Sequence, residues 1–373
     1  MQNYRDIFPI TKDFIYLDHA GVSPVSLRVK NSVDEFLQNA SGQTKMDYSL
    51  WGERIEQVRA SCAKLIGAKP SEVAFVKNTS HGISIVSSGL DWKKGDNLVV
   101  FEKEFSSNIY PWQSLNDRGV EVRLIPLKDE RILFEDIENL IDSRTKLITM
   151  STVQSVNGFM IDLNKLGDLC RSKGILYFVD AIQSLGAVSM DVEKSKADFL
   201  AADGHKWLLA PEGIGIFYCR EELATQIKPS LIGWKSVEDD LNFESYDFKL
   251  KNNALRFEEG SMNTMGIYGL GAAVDLLLEV GVENIQNHIL GLGDLIINEA
   301  KNRGFDIRTP LDHNERGGII SFSGEFEPKE VAEKLFEKNI VVNNRGGALR
   351  VSPHFYTTEQ DILKFFDALD QLL

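Results

Sequence analysis

Residues 98–101, 122–125, 147–150 and 176–179 form short, almost wholly apolar runs, and the stretches between them, around 111–117, 134–141 and 163–173, carry apolar residues at helical spacing. A strand that is apolar along its length is buried on both faces, and neighbouring parallel strands need a long, usually helical, crossover between them. The alternation therefore restricts the chain to an α/β architecture built on a mostly parallel sheet. Residues 73–76 read as a further buried strand that runs into Asn78, Thr79, Ser80, His81 and Gly82. Two more strand candidates, 199–202 and 214–218, flank Asp203-Gly204-His205-Lys206-Trp207-Leu208 and are expected to pair antiparallel.

Around this block, Ser23-Pro24 has the order of a helix start, with helical spacing over 25–40 and again over 50–66, where Gly67 ends it. Residues 233–257 are irregular, charged and aromatic. A Gly-rich helical stretch over 266–280 and a second helix over 282–303 follow. Strands at 318–322, 340–342 and 349–352, with helices after Pro328 and Thr358, complete a smaller α+β domain. A chain of 373 residues exceeds the roughly 250 to 300 residues at which one core stops growing. The expected division is a large domain over 21–265 and a small C-terminal domain over 266–373, with residues 1–20 an arm belonging to the small one.

Composition narrows the partners. Lys and Arg number 41 against 55 Asp and Glu, a net charge of -14, so neither nucleic acid nor an anionic membrane surface is an expected partner. Cys62, Cys170 and Cys219 form no C-x-x-C pair, and the histidines lack ligand spacing, so no metal site is expected. The N-terminus shows no signal-peptide core and no later run has membrane-spanning length, which makes the cytoplasm the expected location. No G-x-G-x-x-G follows the first strand, so the dinucleotide-binding reading of such a sheet lacks its fingerprint.

Val179-Asp180 closes a strand at the carboxyl edge, where open α/β sheets bind ligands, although a strand-ending aspartate also serves as a turn or helix cap. Lys206 sits in a largely apolar stretch. Packed there it becomes a desolvated, nucleophilic amine; the alternative is a lysine that snorkels to solvent. A carboxylate and a lysine at strand ends of one sheet suggest the pyridinium partner and the Schiff-base partner of pyridoxal phosphate.

With these residues in view, the chain resembles the class V aminotransferases, the fold-type I pyridoxal-phosphate group that includes cysteine desulfurases and isopenicillin-N epimerase. The resemblance covers nearly the whole chain. It is carried by Tyr16-Leu17-Asp18-His19-Ala20, Asn78-Thr79-Ser80-His81-Gly82-Ile83, Phe178-Val179-Asp180-Ala181-Ile182-Gln183-Ser184 and Asp203-Gly204-His205-Lys206-Trp207. Arg256-Phe257-Glu258-Glu259-Gly260-Ser261 and Leu349-Arg350-Val351-Ser352-Pro353 complete it. It implies a large mostly parallel-sheet domain with a smaller α+β C-terminal domain, and pyridoxal 5'-phosphate as cofactor. Lys206 would form the Schiff base and shuttle protons, Asp180 would keep the ring nitrogen protonated, and Gln183 would bond the phenolic oxygen. Thr79 and Ser80 would hold the phosphate at a helix N-terminus, or simply cap that helix. His205 matches a phosphate-side residue, or is a packed core histidine. Ser261 would reach the phosphate of the neighbouring subunit in a homodimer. Arg350 would grip the carboxylate of a small amino-acid substrate, the other reading being a surface ion pair.

The departures are informative. Phe105 stands where many desulfurases stack a histidine on the ring, and phenylalanine cannot carry a proton. The polar contact near the phenolic oxygen falls on Gln154 or Ser155, with Gln154 favoured. The stretch 342–348, where desulfurases carry a nucleophilic cysteine, is short and has no thiol. The three cysteines lie in helix or strand patterns that suit buried, inert thiols, which argues against persulfide chemistry. Transamination is the first expectation, and C–S β-elimination or epimerisation the alternative. The choice among them is expected to rest on the shape around Phe105, Trp234, His19 and Arg345. A catalytically silent relative is opposed by the intact Lys206, Asp180 and Arg350.

Overall fold

The computed structural model describes residues 2–42, 46–244 and 246–373. From the N-terminus come β1 (Ile15–Tyr16), α1 (Leu27–Ala40), α2 (Tyr48–Ile66), β2 (Val73–Val76), α3 (Thr79–Gly89), β3 (Asn97–Phe101), α4 (Tyr110–Gln113) and β4 (Glu121–Ile125). There follow α5 (Phe134–Asn139), β5 (Thr145–Ser151), α6 (Leu163–Lys173), β6 (Leu176–Asp180), α7 (Val192–Ser195), β7 (Phe199–Asp203), β8 (Gly215–Cys219) and α8 (Glu221–Ala224). The C-terminal part adds α9 (Thr264–Val280), α10 (Val282–Asn302), β9 (Asp306–Ile307), β10 (Ile320–Ser323) and α11 (Pro328–Glu337). It ends with β11 (Ile340–Val341), β12 (Asn343–Arg345), β13 (Ala348–Val351) and α12 (Glu359–Asp370).

The large sheet has the order β2-β8-β7-β6-β5-β3-β4. Its strands from β7 to β4 pair parallel, and β8 runs antiparallel to both β7 and β2, as expected for the pair that flanks Lys206. No helix joins β7 to β8, so the chain can only turn back on itself there. Ser151, Asp180 and Asp203, the last residues of β5, β6 and β7, therefore emerge at one edge. Because β2 points the same way as β6 and β7, the N-terminus of α3 opens at that edge too.

Side chains on the two faces of this sheet form two clusters, one including Val99, Ile148, Val179 and Leu200, the other Val100, Leu147, Phe178 and Phe199. This is the period of two in a strand buried on both sides. Helix α9 belongs to the first cluster, through Ile267, Leu270, Val274 and Leu277. Its glycines allow close packing on α1 and α2: a Cβ on Gly271 would lie 2.3 Å from Val58, and one on Gly269 3.2 Å from Val33. The first half of α10 joins the same cluster through Ile285 and Ile289, and its second half joins a third with Phe322, Leu335, Val351 and Phe366. Helix α10 thus contributes to both clusters, its first half to one and its second half to the other.

The third cluster lies under an antiparallel sheet of order β12-β13-β10-β9. The N-terminal arm reaches it, since β1 pairs parallel with β11 and Leu17 is part of its core. One helix start differs from expectation. Ser23 does not cap α1: its N–H donates to the His205 carbonyl at 2.7 Å, and the cap is Ser26, whose hydroxyl accepts from Val29 N–H. Pro24 disfavours helical backbone at Ser23, which keeps this segment extended across the site edge. Helix α2 ends as its sequence indicates, on Gly67 at φ 71.

Candidate active site

Asp180 ends β6 fully buried. Its Oδ1 accepts the Ile182 N–H at 3.1 Å, whereas Oδ2 has no partner among the described residues. A cap would account for the first oxygen and leaves the second unexplained. Burial, and then the nearby charge of Glu104, raise the Asp180 pKa to about 7. Glu104 is itself buried: it accepts from Ser151 N–H at 2.6 Å, from the Ser151 hydroxyl, and from Gln154 Nε2 at 3.2 Å. Burial raises the Glu104 pKa as well. The role of Glu104 escaped sequence reasoning, although it is the immediate neighbour of Phe105.

Lys206 follows β7 in the turn back to β8. Burial, and then the positive charge of Arg350, lower its pKa to about 8, against the opposing pull of Asp180 and Asp203. The residue is partly buried, and the lowered pKa makes more of its amine neutral and nucleophilic than in a solvated lysine. Its Nζ lies 5.6 Å from the centroid of the Phe105 ring, and the Arg345 guanidinium lies 5.3 Å from the same centroid.

Arg350, on β13, is buried, which excludes a surface ion pair. Its Nη2 donates to Asp18 Oδ1 at 3.1 Å and its Nη1 to the Ser155 carbonyl at 3.2 Å, while Nε is buried without a partner among the described residues. Asn343 Nδ2 holds the other oxygen of Asp18 at 2.8 Å. Gly21 makes room for that carboxylate, since a Cβ there would lie 2.3 Å from Asp18 Oδ2. His19 packs behind the site, its ring centroid 6.2 Å from that of Trp207. It is fully buried, with Nδ1 2.8 Å from the Ser352 carbonyl and Nε2 2.7 Å from the Tyr356 hydroxyl. A carbonyl only accepts, so Nδ1 carries the proton and Nε2 receives that of Tyr356. Burial lowers the His19 pKa to about 4, and the residue stays neutral as a packing element.

At the start of α3, Asn78 caps the helix through His81 N–H. The Thr79 hydroxyl accepts from Asp203 N–H at 3.1 Å, and that of Ser80 donates to Ser107 at 2.8 Å. Capping is therefore the task of Asn78, which leaves the first N–H groups of α3 for a ligand. His205 Nδ1 lies 3.1 Å from Asp203 Oδ2 but off the line of a hydrogen bond. Gln183 accepts from Trp207 Nε1 at 3.0 Å and donates one N–H to the Ala20 carbonyl at 3.1 Å, so one N–H remains. Gln154 differs. Its Nε2 already faces Glu104 and the Ser151 carbonyl, so it serves first to hold that buried carboxylate. Ser261 is exposed and lines a cavity of about 340 Å³ with Lys77 and His81. Trp234 is also exposed, 5.9 Å from Phe243 between ring centroids.

The cysteines are all buried, and burial raises the thiols of Cys62 and Cys170 to about 12 and that of Cys219 higher. The stretch before Arg350 is a tight hairpin: β12 pairs with β13 across Gly346 and Gly347, at φ 58 and φ 77. Two consecutive positive φ values define a two-residue turn suited to glycine. No group of side chains among the described residues could hold a metal ion.

A lysine of lowered pKa and a buried carboxylate with a free oxygen at the carboxyl edge of the large sheet, met by a buried arginine from β13, suit a pyridoxal-phosphate enzyme of fold-type I. Residues 15–365 match the family model described as aminotransferase class-V, and the chain belongs to that family. It is 31% identical to a probable cysteine desulfurase of Methanothermobacter thermautotrophicus, over 99% of this chain and 96% of that protein. The cysteine desulfurase of Thermococcus onnurineus NA1 shares its fold with a TM-score of 0.91 at 29% identity, covering 99% of this chain and 97% of that one. A C-DES mutant with glycine covalently linked to the PLP cofactor aligns with a TM-score of 0.90 at 21% identity, covering 98% of each chain.

Pyridoxal 5'-phosphate is the cofactor, and the residues present suit it. The unpartnered Asp180 Oδ2 suits a protonated ring nitrogen, the Lys206 amine a carbonyl, and the open N-terminus of α3 a phosphate.

Proposed function

We propose that this enzyme is an aminotransferase of small α-amino acids that works through a Schiff base on Lys206. The observation that carries this reading is a desolvated amine set between a buried carboxylate and a buried guanidinium, with a thiol-free hairpin leading into the arginine. When bound, pyridoxal phosphate supplies the carbonyl that receives the amino group and an electron sink for the bond broken at the substrate Cα. Arg350 holds the substrate carboxylate with its planar fork. Lys206 Nζ would take the proton from the substrate Cα and, for transamination, deliver it to the carbon that the cofactor's carbonyl contributes. Asp180 keeps a proton at the ring nitrogen, and Phe105 covers the site without carrying one.

The same lysine could instead serve a C–S lyase that expels a β-substituent, a second reading supported by the likeness to proteins named desulfurases. Epimerisation has less support, because it needs proton delivery from the opposite face and Phe105 has no proton to give. For the quaternary structure we propose a homodimer, in which the exposed Ser261 reaches the neighbouring phosphate site.

The test begins with the visible spectrum of the purified protein beside Lys206→Ala. A Schiff-base band that borohydride abolishes and that the variant lacks is expected. Incubation with a panel of amino acids, with and without a keto-acid acceptor, then reads the reaction. Keto acid formed only with the acceptor supports transamination, whereas pyruvate and ammonia formed without it would assign the lyase.

A further inference from the structure

We propose that Arg345 is a second anion site of the same pocket, selecting amino-acid substrates whose side chain ends in a carboxylate. The inference adds a substrate class to the function proposed above and rests on that reading of Lys206 and Arg350.

The hairpin places the two arginines together. Across β12 and β13, Asn343 pairs with Arg350 and Arg345 with Ala348. Directly opposed residues share a face of a sheet, and so do residues two apart on one strand. Arg345 therefore stands on the Arg350 face, one diagonal step along the ladder, about 7 to 8 Å between backbones. From such neighbouring positions on one face, two long side chains can reach the two ends of one short diacid. The turn is held as well as tight, since Arg308 Nη1 donates to the Gly346 carbonyl at 2.8 Å.

The side chain points at the chemistry. The Arg345 guanidinium and the Lys206 amine lie 5.3 and 5.6 Å from the centroid of one ring, that of Phe105. A guanidinium beside an aromatic ring is oriented by it and keeps its N–H fork for another acceptor. The charge of Arg345 is felt at both Lys206 and Arg350, lowering each. The two arginines differ in their partners. Arg350 is neutralised by Asp18, while Arg345 has no carboxylate or hydrogen-bond partner among the described residues. With Arg350 assigned to the α-carboxylate, Arg345 offers a second guanidinium that a monocarboxylate leaves unfilled.

The test is calorimetric titration of the purified, cofactor-loaded protein with succinate and glutarate, compared with propionate and butyrate. The wild type should bind the diacids more tightly by about tenfold, a modest factor because an exposed guanidinium is screened by salt. The preference should vanish in Arg345→Gln and partly return in Arg345→Lys. The ratio of kcat/KM for glutamate over glutamine, and for aspartate over asparagine, should fall in parallel. A diacid preference that Arg345→Gln leaves intact, or a wild type with no such preference, overturns the proposal. Titration needs no turnover, so a protein inert toward every amino acid yet retaining an Arg345-dependent diacid preference would defeat the functional reading and not this site.

Discussion

Asp18 accepts from Arg350 Nη2 at 3.1 Å on one oxygen and from Asn343 Nδ2 at 2.8 Å on the other, so the N-terminal arm supplies the counter-charge of Arg350. Removing one partner of a buried pair leaves the other charge uncompensated. Asp18→Asn should therefore destabilise the protein by about 3 to 5 kcal/mol. Propionate, offering a replacement carboxylate, should raise the Tm of the variant more than that of the wild type. Equal shifts in thermal unfolding would show that Arg350 does not depend on Asp18.

Asp180 has its pKa raised from the ordinary 3.8 to about 7, first by burial and then by Glu104. Between those values the folded cofactor-free protein holds a proton that the unfolded chain has released. The stabilisation is complete below 3.8 and is lost as pH rises through 7. Asp180→Asn lacks this titration, so the apoprotein variant should gain in Tm over the wild type by several degrees as pH goes from about 4 to about 7. Its turnover with cofactor should nevertheless drop by about a thousandfold or more, because the amide cannot keep the ring nitrogen protonated. Tm against pH and steady-state kinetics check the two halves.

For Lys206, lowered to about 8, the neutral amine is the nucleophile and predominates only above that pH. Cofactor loading of the apoprotein should accelerate by about tenfold per pH unit up to about 8 and then level off. Stopped-flow absorbance after mixing with pyridoxal phosphate reads this. A midpoint near 10.5, the ordinary lysine value, would mean that the amine is solvated.

Arg59 and Glu258 form a buried pair that ties α2 to the segment leading into Ser261. Arg59 Nη1 and Nη2 reach the two Glu258 oxygens at 2.6 and 3.1 Å, and Phe75 N–H donates to Oε1 at 2.9 Å. Glu258→Gln should cost about 3 to 5 kcal/mol. The double variant with Arg59→Met should lose less than the sum of the singles, since the two residues act on each other. Urea denaturation of the four proteins measures this coupling, and strict additivity would refute it.

The hairpin glycines separate strain from crowding. Gly347, at φ 77, has open space where a Cβ would stand, so Gly347→Ala should cost about 1 kcal/mol from backbone strain alone. A Cβ on Gly346 would lie 2.7 Å from Val156 Cγ1, so Gly346→Ala should cost more. Chemical denaturation ranks the two, and the reverse order would contradict this turn geometry.

The alternation of buried runs with helical spacing determined the parallel sheet and its antiparallel β8, because period and crossover length act locally along the chain. The residue types at strand ends likewise marked Asp180 and Lys206. The tertiary structure alone decided which side chains each of them faces. Asp18, Glu104 and Asn343 lie far in sequence from the groups they hold, and no local pattern encodes such a partner. His19 became a neutral core residue through the arrival of Ser352 and Tyr356, and Gln154 became the support of a carboxylate through the arrival of Glu104. Burial, which sets the charge of Lys206 and Asp180, is a property of packing from every direction. A single chain read in order carries the residues of this site, and only their convergence fixes what each can bind or ionise.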